Sequence, residues 1–378
     1  MYLAVLGRQS EISLAELTAL YSRVKKINSN LATFDSNTTP NITRLGGSLK
    51  LAVKLSQTPL EYLSSLPDGK ITIGISDYYA HSSAKSANSI ALKFKKILVR
   101  HHRSVRVVAN TSPTLSTATS LHNGLSGKNP RKIELIKTAK DWYKVIGVQD
   151  IESYANRDQA RPARDAKVGM LPPKLAQILI NLCGPLPLSS LILDPFCGTG
   201  VVLQEALLMG YRAYGTDINA KMINYSEKNL KWLIQHSIKY PTSSNNNPNL
   251  NTTPFQLDQG DATSFSWQQP INAVACECYL GQPMSQIPTE IKLKEQKQAC
   301  SSIILGFLKN LSTQIAPNTP VTIAIPAWLR ENGTYSRLNI IDEIANMGYN
   351  VNNKSRLGLF YHRESQIVAR DIIILRKN

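Results

Sequence analysis

The segment LILDPFCGTGVVLQEALLMG, residues 191–210, constrains the fold of this chain more than any other part of the sequence. It begins with an apolar, β-prone run that ends in Asp194, continues through a glycine-rich turn, and closes with helical spacing. Gly198 and Gly200 allow a ligand to approach the backbone, because neither residue carries a Cβ. A dinucleotide fingerprint is excluded because Leu203 replaces its third glycine, and no G-K-[ST] sequence marks a phosphate loop. The segment predicts a strand, a turn that binds a small molecule, and a helix; the alternative is a plain structural joint.

Strands and helices alternate along the chain from Leu171 onward. This alternation predicts an α/β fold with a doubly wound, mostly parallel sheet. Asp217 ends the next predicted strand, and Asp261 ends the strand-like segment after it. A carboxylate in the first position can accept both hydroxyls of an adenosine ribose. Asp261, or the amide of Ala262, can bind the adenine amino group, so the sequence predicts an adenosine-containing ligand.

Changes in composition divide the chain into four predicted regions. Residues 1–70 are predicted to form an N-terminal α+β region, and residues 71–147 a second compact α+β module. Residues 148–170 are polar and rich in arginine, which predicts a linker before the α/β domain at 171–378. A low-complexity stretch at 242–254 is predicted to be a surface insertion.

Several elements of the N-terminal regions can be predicted individually. Residues 2–6 are predicted to form a strand, followed by a helix through Tyr21 with Ser10 and Ser13 as candidate N-caps. The polar run at 28–41 is predicted to be a loop.

The positive charge of the chain is concentrated near its N-terminus. The net charge is +17, and residues 1–150 contain 21 Lys and Arg against 9 Asp and Glu. Such an asymmetry favours binding to a phosphate backbone. An amphipathic helix is predicted at 86–102 with its lysines on one face, and the alternative is an ordinary solvated face. The candidate substrate-binding residues are Lys93, Lys95, Lys96, Arg100 and Arg103.

Residues 191–262 resemble the class I methyltransferases that use S-adenosylmethionine. The sequence D-P-F-C-G-T-G resembles the subset joined to a THUMP RNA-binding domain. Residues 1–17, 44–52, 154–182 and 358–375 are similar to segments of the tRNA guanine-N2 methyltransferases of the guanosine-10 type.

This resemblance implies a Rossmann-like sheet with an antiparallel last strand, a ferredoxin-like N-terminal region, and a THUMP-like module at 71–147. It also implies S-adenosylmethionine as the cofactor and tRNA as the partner, with DNA a less favoured one. Asp194 and the glycine turn would line the methionine part of the cofactor, Asp217 would bind ribose, and Asp261 would bind adenine. The candidate cofactor-binding residues are Asp194, Pro195, Cys197, Gly198, Gly200, Asp217, Ile218, Asp261 and Ala262.

The catalytic position departs from the family pattern. Members that methylate an exocyclic amine carry D-P-P-Y or N-P-P-Y after the fourth strand, where an acceptor oxygen engages the amine N–H and an aromatic ring stacks on the base. Here Glu277 takes the acidic position, Cys278 replaces a proline, and Tyr279 comes one place early. We predict Glu277 and Tyr279 as the catalytic residues, and we interpret Cys276 and Cys278 as packing or loop residues.

These features predict methylation of an exocyclic amine, with guanosine N2 in tRNA as the target. The alternatives are a DNA adenine-N6 or cytosine-N4 methylase and a catalytically inactive RNA-binding homologue. The 5 cysteines are an odd number for a disulfide framework, which favours a reducing cytoplasm. Neither a membrane span nor a metal site is expected, and the sequence does not specify the oligomeric state.

Overall fold

The computed structural model describes residues 1–165, 170–237, 254–352, 357–363 and 366–378. Residues 166–169 of the predicted linker and 242–253 of the predicted insertion lie outside these ranges. The chain forms two compact units, Met1–Tyr154 and Ala155–Asn378. Each is described separately below.

The first unit contains one mixed sheet of eight strands in the order β2-β3-β1-β4-β8-β7-β5-β6. Its pairs are antiparallel except for β5 with β6 and β5 with β7, which are parallel. The elements are β1 (Tyr2–Leu6), α1 (Ser10–Leu20), β2 (Ser22–Lys26), β3 (Leu31–Asp35), a short 3-10 helix (Ile42–Arg44), β4 (Ser48–Lys54), α2 (Pro59–Ser64), β5 (Ile71–Asp77), α3 (Ala84–Arg100), β6 (Val105–Val107), α4 (Thr117–His122), β7 (Lys132–Lys137) and β8 (Trp142–Val148).

A buried ion pair joins the parts of this unit on either side of residue 70. Lys50 of β4 lies 2.5 Å from Glu134 of β7, and both side chains are excluded from solvent. Lys50 also donates to the Ser120 hydroxyl and to the Leu115 carbonyl, and Ser76 donates to Glu134. Because both charges have hydrogen-bond partners, the pair is tolerated in the core. Strands from both predicted regions thus belong to one sheet.

The basic helix predicted at 86–102 is confirmed as α3. Ser83 caps it: the Ser83 hydroxyl accepts a hydrogen bond from the Ser86 amide, and the Ser83 amide donates one to the Ser86 hydroxyl. The prediction of a loop at 28–41 is wrong for the residues of β3, which form a strand with Leu31 and Phe34 buried. The N-cap of α1 is Gln9 rather than Ser10 or Ser13, because the Ser13 hydroxyl donates instead to the Gly47 carbonyl.

The second unit is an α/β fold whose sheet has the strand order β11-β10-β9-β12-β13-β17-β15. The first five strands are parallel and β17 is antiparallel to β13, so the predicted doubly wound sheet with an antiparallel last strand is confirmed. The elements are α6 (Pro173–Leu182), β9 (Leu191–Asp194), α7 (Val201–Leu208), β10 (Arg212–Asp217), α8 (Ala220–Ser237), β11 (Phe255–Gln259), β12 (Ala273–Glu277), α9 (Glu290–Ser312), β13 (Pro320–Leu329), β14 (Tyr335–Ser336), α10 (Ile341–Asn346), β15 (Tyr349–Val351), β16 (Phe360–Tyr361) and β17 (Val368–Lys377).

The helix α5 (Ile151–Gln159) occupies much of the segment predicted as a linker, and the division between the two units falls within it. Arg157 of this helix donates to Glu205 of α7 at 2.6 Å. Glu205 is buried, so the arginine compensates a charge that has no access to water.

The order of the strands determines where a ligand can bind. From β9 the chain runs outward through β10 to β11, and it then returns to β12 on the other side of β9, so the strand order reverses at β9. At such a switch point the carboxyl ends of neighbouring strands form a crevice. Asp194 and Glu277, the last residues of β9 and β12, both lie at this edge.

Candidate functional site

The turn after β9 has the open geometry that a ligand requires. Gly198 and Gly200 have positive φ angles of 52° and 81°. A Cβ on Gly200 would lie 3.0 Å from the Ser226 hydroxyl, so this position cannot accept a larger residue without a shift. A Cβ on Gly198 would meet no atom closer than 3.9 Å, the Phe196 carbonyl oxygen. The backbone at Gly198 is therefore accessible from one side.

Two buried polar residues of α8 hold this turn in place. The Ser226 hydroxyl donates to the Gly198 carbonyl at 2.8 Å, and the Asn229 amide donates to the Thr199 carbonyl at the same distance. Asn229 also exchanges two hydrogen bonds of 2.9 Å with the backbone of Ala163. Sequence reasoning missed both residues. The sequence pattern that could have identified them is a pair of polar residues three positions apart on the buried face of a helix.

Asp217 is brought directly to the glycine turn. Its carboxylate accepts from the Gly198 amide at 3.0 Å and from the Asn219 amide at 2.9 Å. Burial raises the pKa of Asp217, and these two hydrogen bonds act against that rise. The adjacent Ile218 is 67% exposed, which leaves an apolar surface beside the carboxylate.

Asp261 follows β11 and lies on the surface. Its Oδ1 accepts from the amide and the hydroxyl of Thr263, at 2.9 and 2.8 Å, so the carboxylate caps its own turn. Ala262 is buried, and its carbonyl accepts from the Asn310 amide at 3.0 Å. Asn310 is a further residue that sequence reasoning missed, since it lies far along the chain on α9.

Asp194 is almost inaccessible to solvent, and its Oδ1 accepts from the Phe196 amide at 3.1 Å. Burial raises its pKa well above the usual range, and the nearby carboxylates of Asp217 and Glu277 raise it further. Pro195 and Cys197 are buried beside it, and burial also raises the pKa of the Cys197 thiol. Three carboxylates thus converge at one edge of the sheet, an arrangement that attracts a cationic ligand.

Glu277 forms an ion pair that the sequence did not reveal. Arg370 of β17 donates from Nε to Glu277 Oε1 at 2.7 Å, and its Nη1 donates to Gln366 at 3.1 Å. The side chains of Arg370 and Glu277 are only 4% and 14% exposed. Burial raises the pKa of Glu277, and the Arg370 guanidinium lowers it. The sequence pattern that could have indicated this ion pair is a charged residue, Arg370, inside the apolar strand IVARDIIIL.

The residues on either side of Glu277 combine an exposed ring with two buried thiols. Tyr279 is 37% exposed, whereas Cys276 and Cys278 belong to the hydrophobic core with their sulfurs 3.8 Å apart. The packing interpretation of the two cysteines is therefore confirmed. Gln296 of α9 fixes the loop by accepting from the Gln282 amide at 2.8 Å.

The predicted substrate-binding residues on α3 fall into two groups. Lys93, Lys96 and Arg100 are exposed on α3. Lys95 lines a cavity of about 650 Å³ together with Lys70 and Arg106, between α3 and the edge strand β6.

Arg103 differs from the other predicted substrate-binding residues. It donates to the Asp68 carboxylate at 2.8 Å and to the carbonyls of Leu66 and Pro67 at 2.9 and 2.8 Å. These bonds hold the turn before β5.

Neither a metal centre nor a membrane-spanning helix is found among the described residues. Within those ranges, no group of three or more His, Cys, Asp and Glu side chains is arranged to hold a metal ion. In the same part of the chain, no helix combines the length and the apolar character needed to cross a bilayer.

Comparison with known proteins places the similarity on the glycine turn and its surroundings. Residues 161–256 match the family described as RMKL-like, methyltransferase domain. The chain is 28% identical over 174 residues to the tRNA (guanine(10)-N2)-dimethyltransferase of Methanothermobacter thermautotrophicus, covering 46% of this chain and 44% of that relative. It is 43% identical over 91 residues to the enzyme of the same name from Methanocaldococcus jannaschii, covering 23% of this chain and 25% of that relative. The chain therefore matches less than half the length of these curated relatives.

Among solved structures, TrmN from Thermus thermophilus aligns with 100% of this chain and 99% of its own, at 15% identity and a TM-score of 0.46. The matched methyltransferase domain contains Asp194, the glycine turn and Asp217.

Proposed function

We propose that this chain is an S-adenosylmethionine-dependent methyltransferase that methylates the exocyclic N2 amine of a guanosine in tRNA. The observation that carries the proposal is the convergence of Asp194, Asp217 and Glu277 beside the open backbone of Gly198. The relatives named tRNA (guanine(10)-N2)-dimethyltransferases support the substrate.

The residues at this edge fit S-adenosylmethionine. The cofactor carries a positive sulfonium and an ammonium group, and the acidic side chains of Asp194 and Asp217 complement these charges. The unhindered side of Gly198 accommodates the methionine part, and Asp217 retains acceptor capacity for ribose hydroxyls beside its two backbone bonds. Exposed Ile218 offers an apolar contact for adenine, with Asp261 and Ala262 at its polar edge.

We assign the amine acceptor to Glu277 Oε2, because Oε1 already accepts from Arg370. When bound, S-adenosylmethionine supplies a methyl group activated by its sulfonium. Glu277 engages the amine N–H, orients the nitrogen lone pair, and accepts the proton that the nitrogen releases. Tyr279 stacks on the extruded base, and Arg370 keeps the carboxylate ionised and in place.

We further propose that the first unit binds the tRNA through phosphate contacts, with residues 71–147 acting as a THUMP-like module in a cytoplasmic protein. The exposed lysines of α3 and the cationic cavity beside β6 support this assignment. Arg103 is left out of the contact surface because its guanidinium already has three partners.

One experiment tests the proposed activity. Tritiated methyl transfer from S-adenosylmethionine is measured into unmodified bulk tRNA and into DNA, followed by nucleoside analysis. Label in N2-methylguanosine or N2,N2-dimethylguanosine is the expected result. Label in DNA bases would identify a DNA methylase, and absence of label in both, with cofactor binding intact, would identify an inactive homologue.

Replacing Asp217 by Ala is expected to weaken S-adenosylmethionine binding at least about tenfold. Each hydrogen bond to a charged group contributes roughly 1.5–3 kcal/mol, and the substitution also releases the Gly198 amide. Calorimetric titration measures the affinity. Glu227→Gln removes an exposed carboxylate from α8 and serves as the control, with wild-type affinity expected. Unchanged affinity in a folded Asp217→Ala protein would remove this residue from the cofactor site.

Replacing Lys93, Lys95 and Lys96 together by Gln is expected to flatten the salt dependence of tRNA affinity. Each lost phosphate contact lowers the slope of log K against log salt by about one. Binding is measured by fluorescence anisotropy across a salt series. Lys228, Lys231 and Lys309, on exposed positions of α8 and α9, provide a control triple with the same loss of charge. An unchanged slope, or an equal change in the control triple, would contradict a specific role for α3.

A further inference from the structure

The sheet of the second unit extends beyond the level of Glu277. Glu277 pairs with Ala324, and β13 continues to Leu329, about 16 Å further at the rise of a β-strand. Two short strands pair with the strands of this extension. β14 pairs Tyr335 with Leu329, and β16 pairs Tyr361 with Arg370.

A group of side chains that we call the stacking cluster, Tyr335, Arg337, Phe360 and His362, lies on these short strands and the adjoining turns. The rings of Tyr335 and Phe360 are stacked, with centroids 5.9 Å apart and an interplanar angle of 24°. The His362 ring lies 5.4 Å from Tyr335, and the Arg337 guanidinium lies 5.6 Å from the centre of the Phe360 ring. The cluster is thus three rings in series with a cation at one end.

The cluster is anchored to the sheet through Arg337 but is not part of the hydrophobic core. Arg337 donates to Asp371 at 2.6 Å, and Asp371 is buried, so the guanidinium has a fixed anchor. Tyr335 and Phe360 are partly exposed, and His362 is exposed. Aromatic rings that are ordered yet accessible are the surfaces on which unpaired nucleobases stack.

The cluster is linked to the candidate catalytic carboxylate through one residue. Arg370 binds Glu277 with its side chain, and its strand partner is Tyr361, directly between Phe360 and His362 in sequence. From β12 to β16 there are three strand spacings, about 14 Å. Two arginines, Arg330 and Arg363, are exposed in the neighbouring turns, beside one exposed carboxylate, Glu331.

We propose that the stacking cluster binds an unpaired nucleobase of the RNA whose guanosine is methylated, a few nucleotides from the target along the strand. This inference rests on the proposed function, because it assigns the recognition of that substrate. The base stacks on the outer face of the three-ring series, and the exposed arginines neutralise the flanking phosphates.

The test measures the affinity of the full chain for unmodified tRNA by fluorescence anisotropy. Tyr335→Ala and His362→Ala are each expected to weaken binding by about tenfold. Tyr335→Phe and His362→Phe keep a ring and are expected to bind as the wild type does. The affinity for S-adenosylmethionine, measured by calorimetry, stays at its wild-type value in all four variants. His362 is exposed, so its variants test the inference even where Tyr335→Ala fails to fold.

Wild-type tRNA affinity in the folded alanine variants would overturn the inference. So would an equal loss in the phenylalanine variants, because the ring would then not be the binding element. A fall in melting temperature without a change in tRNA affinity would limit the cluster to packing two short strands together, and it too would overturn the inference. Methyl transfer by the wild-type chain tests the proposed function independently of these affinities, so the two failures are distinguishable.

Discussion

Glu277→Gln is expected to lower methyl transfer by about 10²–10⁴-fold, while the affinities for S-adenosylmethionine and tRNA stay close to wild type. The substitution keeps the size of the side chain and removes its charge. Arg370 Nε donates to one oxygen of Glu277 in the wild type, and it will select the single oxygen of the amide in the same way. The NH2 group is then left where Oε2 was. A donor faces the amine N–H, so the acceptor is lost.

Single-turnover methyl transfer into tRNA, with both substrates saturating, measures this effect without a contribution from binding. Glu227→Gln is the matched control, since it makes the same chemical change at an exposed ion pair on α8. A Glu277→Gln protein that retains most of its turnover would contradict the acceptor assignment. The role would then move to Asp194, to Asp261 or to a backbone carbonyl of the loop at 278–281.

The elements that sequence reasoning predicted well depend on residues close together in the chain. The glycine turn and its flanking strand and helix form one continuous segment. The residues around Gly198 therefore predicted the parallel sheet and the edge where we propose that the cofactor binds. Asp217 follows one helix and one strand later, and the structure joins its carboxylate to the Gly198 amide. Local pattern was sufficient here because β9, α7 and β10 are consecutive.

Other features could not be predicted because they depend on pairing between distant segments. Glu277 and Arg370 are 93 residues apart, and their contact exists because β17 enters antiparallel to β13 in one particular register. Residues 28–41 looked like a loop because polar residues surround the short apolar run that forms β3. Its burial comes from pairing with β1, which no local pattern specifies.

Pairing between distant segments also crosses the boundary predicted near residue 70. Composition changes there, but the sheet continues from β4 through β8 and β7 to β5. Lys50 and Glu134 were unremarkable charged residues in the sequence, and only the fold brings them together in the core. A charged residue flanked by apolar neighbours, as in both of these strands, is the one signal that pointed to a buried partner.

Arg370→Gln is expected to shift the acid limb of the pH–rate profile to higher pH. In the mechanism proposed above, methyl transfer requires Glu277 as the carboxylate, so activity is expected to fall as the pH drops through the pKa of Glu277. Burial raises that pKa, and the Arg370 guanidinium lowers it. Removing the guanidinium leaves burial unopposed, so the pKa of Glu277 rises further and the carboxylate is protonated over a wider range. Near neutral pH the variant is expected to lose activity about 10–100-fold, and part of this loss is recovered as the pH is raised.

This pH dependence separates an electrostatic role of Arg370 from a purely structural one. Breaking a buried ion pair costs about 3–5 kcal/mol of stability, so the melting temperature will fall in either case. Arg157→Gln breaks a second buried Arg–Glu pair of this unit, to Glu205, and is the matched control: stability falls, but the acid limb stays in place. Arg370→Lys retains the charge and is expected to shift the limb less than Arg370→Gln does, and it carries the test where the glutamine variant unfolds. A uniform loss of activity at every pH, with the acid limb at its wild-type position, would contradict the view that Arg370 keeps Glu277 ionised. The role of the arginine would then be limited to tying β17 to β12 across β13.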